Sequence, residues 1–285
     1  MSPLQGTPPE HVLPVIPPPI TRRAVNSAAA SENRIHSDEE ARRLGYRAAL
    51  VPGVTLYAYL TQLALPAFGA TWLERGAATV RLLRPVYEGE LVTCTATAAE
   101  HEGLPALSMT CARADGTACA EGLFWLLPAD APLPDLPPLP DVPAPDPRAP
   151  LTPDTVPLGR PLAPFTTLVT EQEARAYADE TDDPSPWYRG PSPFGPALVP
   201  PGVLAGRQAR LLRHNFSFGP SIHTASEIRH LAPAPVNATY RTGGVIRSTF
   251  ERNGHHYLLL EAVTTADDRP VVWVRHTSIF RVRGS

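Results

Sequence analysis

Four residues in the first quarter of the chain have types and spacing suited to proton transfer beside a carbonyl. Glu32, Asn33 and His36 lie close together, and Gly53 follows in Leu50-Val51-Pro52-Gly53. Histidine titrates near neutral pH without help, so His36 can take a proton from water and return it. Asn33 can orient a water or a carbonyl, and Glu32 is the nearest carboxylate able to share the proton. Pro52 and Gly53 interrupt regular structure. Beyond them Val54, Leu56, Tyr57, Leu60 and Leu63 recur at the spacing of a buried helix. The unpaired N–H groups at such a helix start favour negative charge developing on an oxygen. Together these groups suit a site that polarises a carbonyl and moves a proton.

The elements that must hold them can be placed from turn signals. The helix is predicted from Gly53 to about Pro66. Strands follow at Ala77–Leu83, Leu91–His101, Leu104–Arg113 and Ala118–Leu127, separated by Pro85/Gly89, Glu102-Gly103 and Asp115-Gly116. The second half repeats this order. Leu198-Val199-Pro200-Pro201-Gly202 echoes Leu50-Val51-Pro52-Gly53, Asn253-Gly254 echoes Glu102-Gly103, and Asp267-Asp268 echoes Asp115-Gly116, at offsets of 149, 151 and 152 residues. So constant an offset predicts a duplicated unit, with the helices at Gly53 and Gly202 related by a pseudo-twofold axis. Its strands fall at His223–Leu231, Asn237–Phe250, His255–Ala266 and Pro270–Val282. A helix is predicted at Glu171–Glu180, with a turn at Thr181–Tyr188.

Between the halves, Pro128–Pro164 contains 14 prolines in 37 residues. Proline removes backbone donors and opposes helix, so this segment is expected to be an extended linker contributing little stability. The expected organisation is a Pro-rich irregular arm at 1–19, a first unit at 20–128, the linker at 129–164 and a second unit at 165–285.

The chain has 285 residues, 43% of them hydrophobic and 19% charged, with a formal net charge of −3. It can build real cores, and its charge gives no reason to expect nucleic acid or an anionic membrane. All 25 basic residues are Arg, which rules out lysine chemistry. The three cysteines, Cys94, Cys111 and Cys119, lack metal-site spacing and point to a reducing compartment. With no secretory signal pattern and no long apolar run, a cytoplasmic protein is expected. The nine histidines form no metal pattern. There is no phosphate loop, dinucleotide fingerprint or Gly-x-Ser-x-Gly elbow, so neither metal nor cofactor is expected.

The order Asn-x-x-His, a short acidic segment and a glycine opening an apolar helix resembles the MaoC-like acyl dehydratases, which include the R-specific enoyl-CoA hydratases. Their motif is Asp-x-Asn-Pro-x-His. Asn33 and His36 fall on its Asn and His and Gly53 on the helix glycine, while Ser31 stands at the Asp and Arg34 at the Pro. In the second half, within Asp182-Asp183-Pro184-Ser185-Pro186-Trp187-Tyr188, Asp183 falls on the Asp, Ser185 on the Asn, Pro186 on the Pro and Tyr188 on the His.

The resemblance implies an α+β double hot-dog, two antiparallel sheets each wrapped around a helix and forming an internal pseudo-dimer. Whether two chains also pair as a homodimer is left open. It also implies reversible hydration of 2-enoyl thioesters of CoA or a carrier protein, in fatty acid metabolism. His36, Glu32 and Asn33 would be catalytic, and Gly53, Val54, Asp183 and Tyr188 would bind substrate. Arg81, Arg84, Arg207, Arg210 and Arg213 could meet phosphates. Simpler uses exist: Asn33 suits a turn, Asp183 a brace for the 181–188 turn, and the arginines solvated faces. A non-catalytic acyl-thioester binding protein and a hot-dog thioesterase are the alternatives.

Overall fold

A computed structural model describes residues 14–284. Most of the expected N-terminal arm, residues 1–13, lies outside the described residues; residues 14–19 are irregular and lead into β1 (Ile20–Arg23). The first half continues with α1 (Asp38–Arg43), α2 (Gly53–Phe68), α3 (Trp72–Arg75), β2 (Gly76–Leu82), β3 (Leu91–His101), β4 (Leu104–Arg113) and β5 (Ala118–Leu126). A two-residue β6 (Ala149–Pro150) precedes the second half. There follow β7 (Phe165–Val169), α4 (Glu171–Glu180), α5 (Pro201–Ala205), α6 (Arg207–Asn215), a two-residue β8 (Phe216–Ser217), β9 (Ile222–His230), β10 (Ala238–Arg252), β11 (His255–Ala266) and β12 (Arg269–Arg281).

Helix α2 is apolar around its circumference, and such a helix is stable only when wrapped on all sides. Twelve of its 16 residues are buried. Leu56, Tyr57, Leu60 and Leu63 join Val80, Leu107, Met109 and Phe124 of the sheet in the main core. Pro52, with φ −59° and ψ 139°, opens the helix, and Gly69, with φ +67°, closes it.

Ten strands form one antiparallel sheet in the order β1-β3-β4-β5-β2-β9-β12-β11-β10-β7. The order is palindromic. Each half contributes five strands, joined where β2 pairs antiparallel with β9 from Ala77↔Arg229 to Arg81↔Ala225. Corresponding bridges lie at Leu50↔Tyr87 and Leu198↔Pro235. The hairpins turn at Glu102-Gly103 and Asn253-Gly254, where both residues of each pair have positive φ and so match the twist of the flanking strands. This is an α+β double hot-dog. The second half's central helix differs from α2 in being interrupted at Gly206, between α5 and α6.

Cys94 and Cys111 face each other across β3 and β4, with Cα atoms 4.1 Å apart, and form a disulfide. Only Cys119 remains a thiol, so the cysteines no longer argue for a reducing compartment. No helix among the described residues is long and apolar enough to cross a membrane.

The proline-rich segment is irregular but not peripheral, since parts of it are buried. Leu151 and Leu162 are buried in a second core with Phe165, Leu211, Leu258 and Leu260. Leu162 N–H donates to Gly244 O (2.9 Å), and Arg241 Nη2 donates to Pro140 O (2.8 Å). Prolines exclude regular pairing without preventing the intervening leucines from reaching apolar surface. Leu162→Ala should lower the unfolding free energy by about 2–4 kcal/mol, the usual range for emptying a buried leucine site. Urea melts would measure this; a change near zero would show the segment to be only a tether.

Candidate functional site

His36 ends a single 3-10 turn, Arg34–His36, in which His36 N–H donates to Asn33 O (3.1 Å). The turn is anchored by Ile35, buried with Ala41, Leu50 and Tyr87. His36 Nδ1 lies 2.7 Å from Leu50 O. A carbonyl only accepts, so Nδ1 carries the proton and Nε2 keeps its lone pair. Nε2 is 3.3 Å from Asn33 Nδ2. Burial, with the positive charge of Arg213 as a lesser cause, lowers the His36 pKa, while its bond to Leu50 O opposes that change. The ring is therefore a neutral base at pH 7.

Asn33 does more than orient this ring. Its Oδ1 accepts from Ser221 N–H (3.0 Å) and its Nδ2 donates to Ser221 O (2.9 Å), a two-point clamp on a residue 188 positions away. The clamp joins the His36 turn to the segment entering β9. Next to it, Gly53 begins α2. Among the described residues the N–H groups of Gly53 and Val54 meet no acceptor, whereas Thr55 N–H turns back to Pro52 O (2.9 Å). A Cβ at Gly53 would lie 2.0 Å from Leu82 Cδ1 and 3.0 Å from His223 Nδ1, so a larger residue there would have to displace the Leu82 side chain.

His223 and His276 were not singled out by any motif, yet both line the same cavity. Their rings lie 4.3 Å apart. His223 Nε2 faces Ser226 Oγ (2.8 Å) and Ala225 O (3.2 Å), and its Nδ1 is buried without a partner against Gly53. Burial pushes the His223 pKa down to about 4. A histidine at a strand start carries no local signal; only the packing of β9 against the α2 entry makes it part of the site.

The other expected residues are placed differently. Glu32 is exposed and its Oε2 accepts from Arg148 Nη1 (2.9 Å), a residue of the proline-rich segment. Ser31, at the motif's Asp position, is exposed as well. Glu32→Gln should accordingly change kcat by less than about threefold, since exposed ion pairs contribute little. A loss of 10²-fold in a turnover assay would return the carboxylate to the chemistry.

Asp183 and Tyr188 do not line the cavity, so the structure does not bring them to His36. Asp183 Oδ1 accepts from Ser185 N–H (2.9 Å) and braces its own turn. Burial pushes its pKa up to about 6. Tyr188 is fully buried in the main core, its hydroxyl unpartnered. At the second helix start, a Cβ on Gly202 would meet Tyr177 Oη at 2.2 Å. The two helix starts thus face different neighbours, Tyr177 at Gly202 and Leu82 with His223 at Gly53.

The cavity encloses about 940 Å³ and spans both helix starts, Gly53 and Gly202. Ile35, Leu50, Val54 and Leu82 give it apolar walls, and Arg84, Arg207, Arg210 and Arg213 also line it. Arg81 does not: it pairs with Glu121 (2.9 Å) elsewhere on the sheet. A pocket of this size with an apolar lining, a neutral imidazole and two open N–H groups can bind a small acyl group and hydrogen-bond its carbonyl oxygen.

No protein-family model matches the sequence, and no curated protein matches it. Solved structures do resemble it. A structure described as a MaoC domain protein dehydratase from Chloroflexus aurantiacus superimposes with a TM-score of 0.68 at 15% identity, covering 95% of this chain and 96% of the other. A conserved hypothetical protein from Mycobacterium tuberculosis with a double hot-dog fold gives 0.62 at 17% identity, covering 94% and 96%. A structure described as an oleoyl thioesterase from Lactobacillus plantarum gives 0.51 at 10% identity, covering 92% and 96%. The fold is thus the double hot-dog that MaoC-like dehydratases and thioesterases share.

Proposed function

We propose that the cavity binds a 2-enoyl or 3-hydroxyacyl thioester and interconverts the two by adding or removing water, with His36 as the sole base. The observation that carries this is that the neutral His36, its Nδ1 held by Leu50 O, lines the same cavity as the Gly53 and Val54 start of α2. In the hydration direction, Nε2 accepts a proton from water as the water oxygen bonds to Cβ. The thioester becomes an enolate whose oxygen is held by the N–H groups at the α2 start. The imidazolium then returns the proton to Cα, so one water is added and the ring is restored. A positioned base supplies about 10²–10⁴ in rate and an oxyanion donor about 10²–10³.

One observation favours a second reading, a non-catalytic acyl-thioester binding protein: among the described residues no carboxylate hydrogen-bonds to His36. Incubation with crotonyl-CoA separates the two. Loss of the conjugated thioester absorbance supports hydration. Saturable binding without turnover supports the binding protein, and release of free CoA would favour a thioesterase.

A further inference from the structure

One guanidinium in the cavity wall is buried with no counter-ion among the described residues. Arg207, the first residue of α6, is 5% exposed. Its Nε donates to Thr242 Oγ1 (2.6 Å), Nη1 to Thr167 Oγ1 (3.0 Å) and Nη2 to Tyr240 O (3.0 Å). All three acceptors are neutral. A guanidinium carries five N–H donors, so one on each terminal nitrogen is left over. The group is held over the Phe165 ring, 4.6 Å from its centroid, and 5.6 Å from that of Tyr240. Burying a charge without its opposite is costly, and these contacts orient the cation without neutralising it.

The rest of the cavity does not supply the missing anion. Its acidic lining residues are Glu32 and Glu173. Glu32 is held by Arg148, and Glu173 accepts from the Thr170 backbone and hydroxyl in the capping box of α4. The arginines differ in depth: Arg84 and Arg210 are exposed, while Arg207 is buried. The start of α6 lies near that of α2. A Cβ on Gly206, the residue before it, would lie 4.0 Å from Val54 Cγ2.

We propose that Arg207 receives a carboxylate at the far end of a short acyl group, making the preferred ligand a monothioester of a dicarboxylic acid. This rests on the cavity being an acyl-thioester site. A planar fork with spare donors suits a carboxylate, which it can bind through two parallel hydrogen bonds. Nucleotide phosphates of coenzyme A are more strongly hydrated, and the exposed Arg84 and Arg210 are better placed for them.

The test is calorimetric titration of the full chain with glutaryl-pantetheine and pentanoyl-pantetheine, neither of which carries a phosphate. Wild type should bind the glutaryl compound at least about tenfold more tightly, as one added charge-assisted contact allows. Folded Arg207→Gln should lose that preference; if it does not fold, Arg207→Lys, which keeps the charge but not the fork, should weaken it. Equal affinity of wild type for the two compounds overturns the proposal alone. Binding of neither overturns the acyl-thioester reading with it. A folded Arg207→Gln that keeps the preference, or loses affinity for free coenzyme A instead, also overturns it.

Discussion

His36→Ala should reduce kcat for crotonyl-CoA hydration by about 10² or more, the low end of what a positioned base contributes. KM should move little, because the cavity walls and the α2 N–H groups remain. The ring's bond to Leu50 O is lost, but Asn33 keeps both contacts to Ser221, so the fold should survive. His36→Gln is a useful companion: its amide can donate to Leu50 O but cannot take a proton. The two variants should be similarly slow. Since burial lowers the His36 pKa, the neutral base persists below pH 6.5, and wild-type kcat should stay level through that point before falling in more acidic buffer. A His36→Ala enzyme within about threefold of wild type would remove the proposed base. If neither protein turns over substrate while both bind it equally, the binding-protein reading stands.

Acid should destabilise the protein well before its exposed carboxylates are protonated. His230 is fully buried, its Nε2 has no partner, and its ring lies 4.6 Å from that of Trp72. Burial pushes its pKa down to about 4, as it does that of His223, while burial and His223 push His276 down as well. The unfolded chain then binds protons that the folded chain refuses. Stability is fully present above about pH 6.5, the unfolded value, and is lost as pH falls towards the folded values. For His230 alone the displacement corresponds to about 3 kcal/mol. Asp183 acts in the opposite sense, since burial pushes its pKa up to about 6 and its folded state favours the proton in acid. The histidines outnumber it. Urea melts should therefore show stability falling steadily between about pH 6.5 and 4. Asp183→Asn should steepen that fall, and His230→Phe should make it shallower. A flat profile over this interval would mean the histidines are protonated in the folded protein.

Much of the framework was legible in the chain because its signals are local. Helix α4 has the predicted ends, and β3, β4 and β11 match their predicted ranges to the residue. Their boundaries are turns such as Glu102-Gly103 and Asn253-Gly254, whose left-handed backbone depends on the residues themselves. Helix α2 was visible for a related reason: Pro52-Gly53 opens it and a continuous apolar run leaves it nowhere to go but the core. The pairing of α2 with His36 followed from the same motif.

What the sequence by itself determined about this protein, then, is α2, α4, the four long strands of each half with their turns, and the Asn33, His36 and Gly53 motif. Helices α1 and α3, strand β7 and the break between α5 and α6 emerged only in the fold. Only the tertiary structure decided which groups share the cavity. Glu32 is adjacent to Asn33 yet points to Arg148, 116 residues away. Asn33 is fixed by Ser221, and His223 reaches Gly53 from the second half. Tyr177 crowds Gly202 whereas Leu82 and His223 crowd Gly53, a difference that no motif shows. Arg207 is buried by Phe165, Thr167, Tyr240 and Thr242, all contributed by strands distant from it in the chain. Local backbone preference acts over a few residues, whereas burial, tautomer and ion pairing depend on which distant surfaces meet.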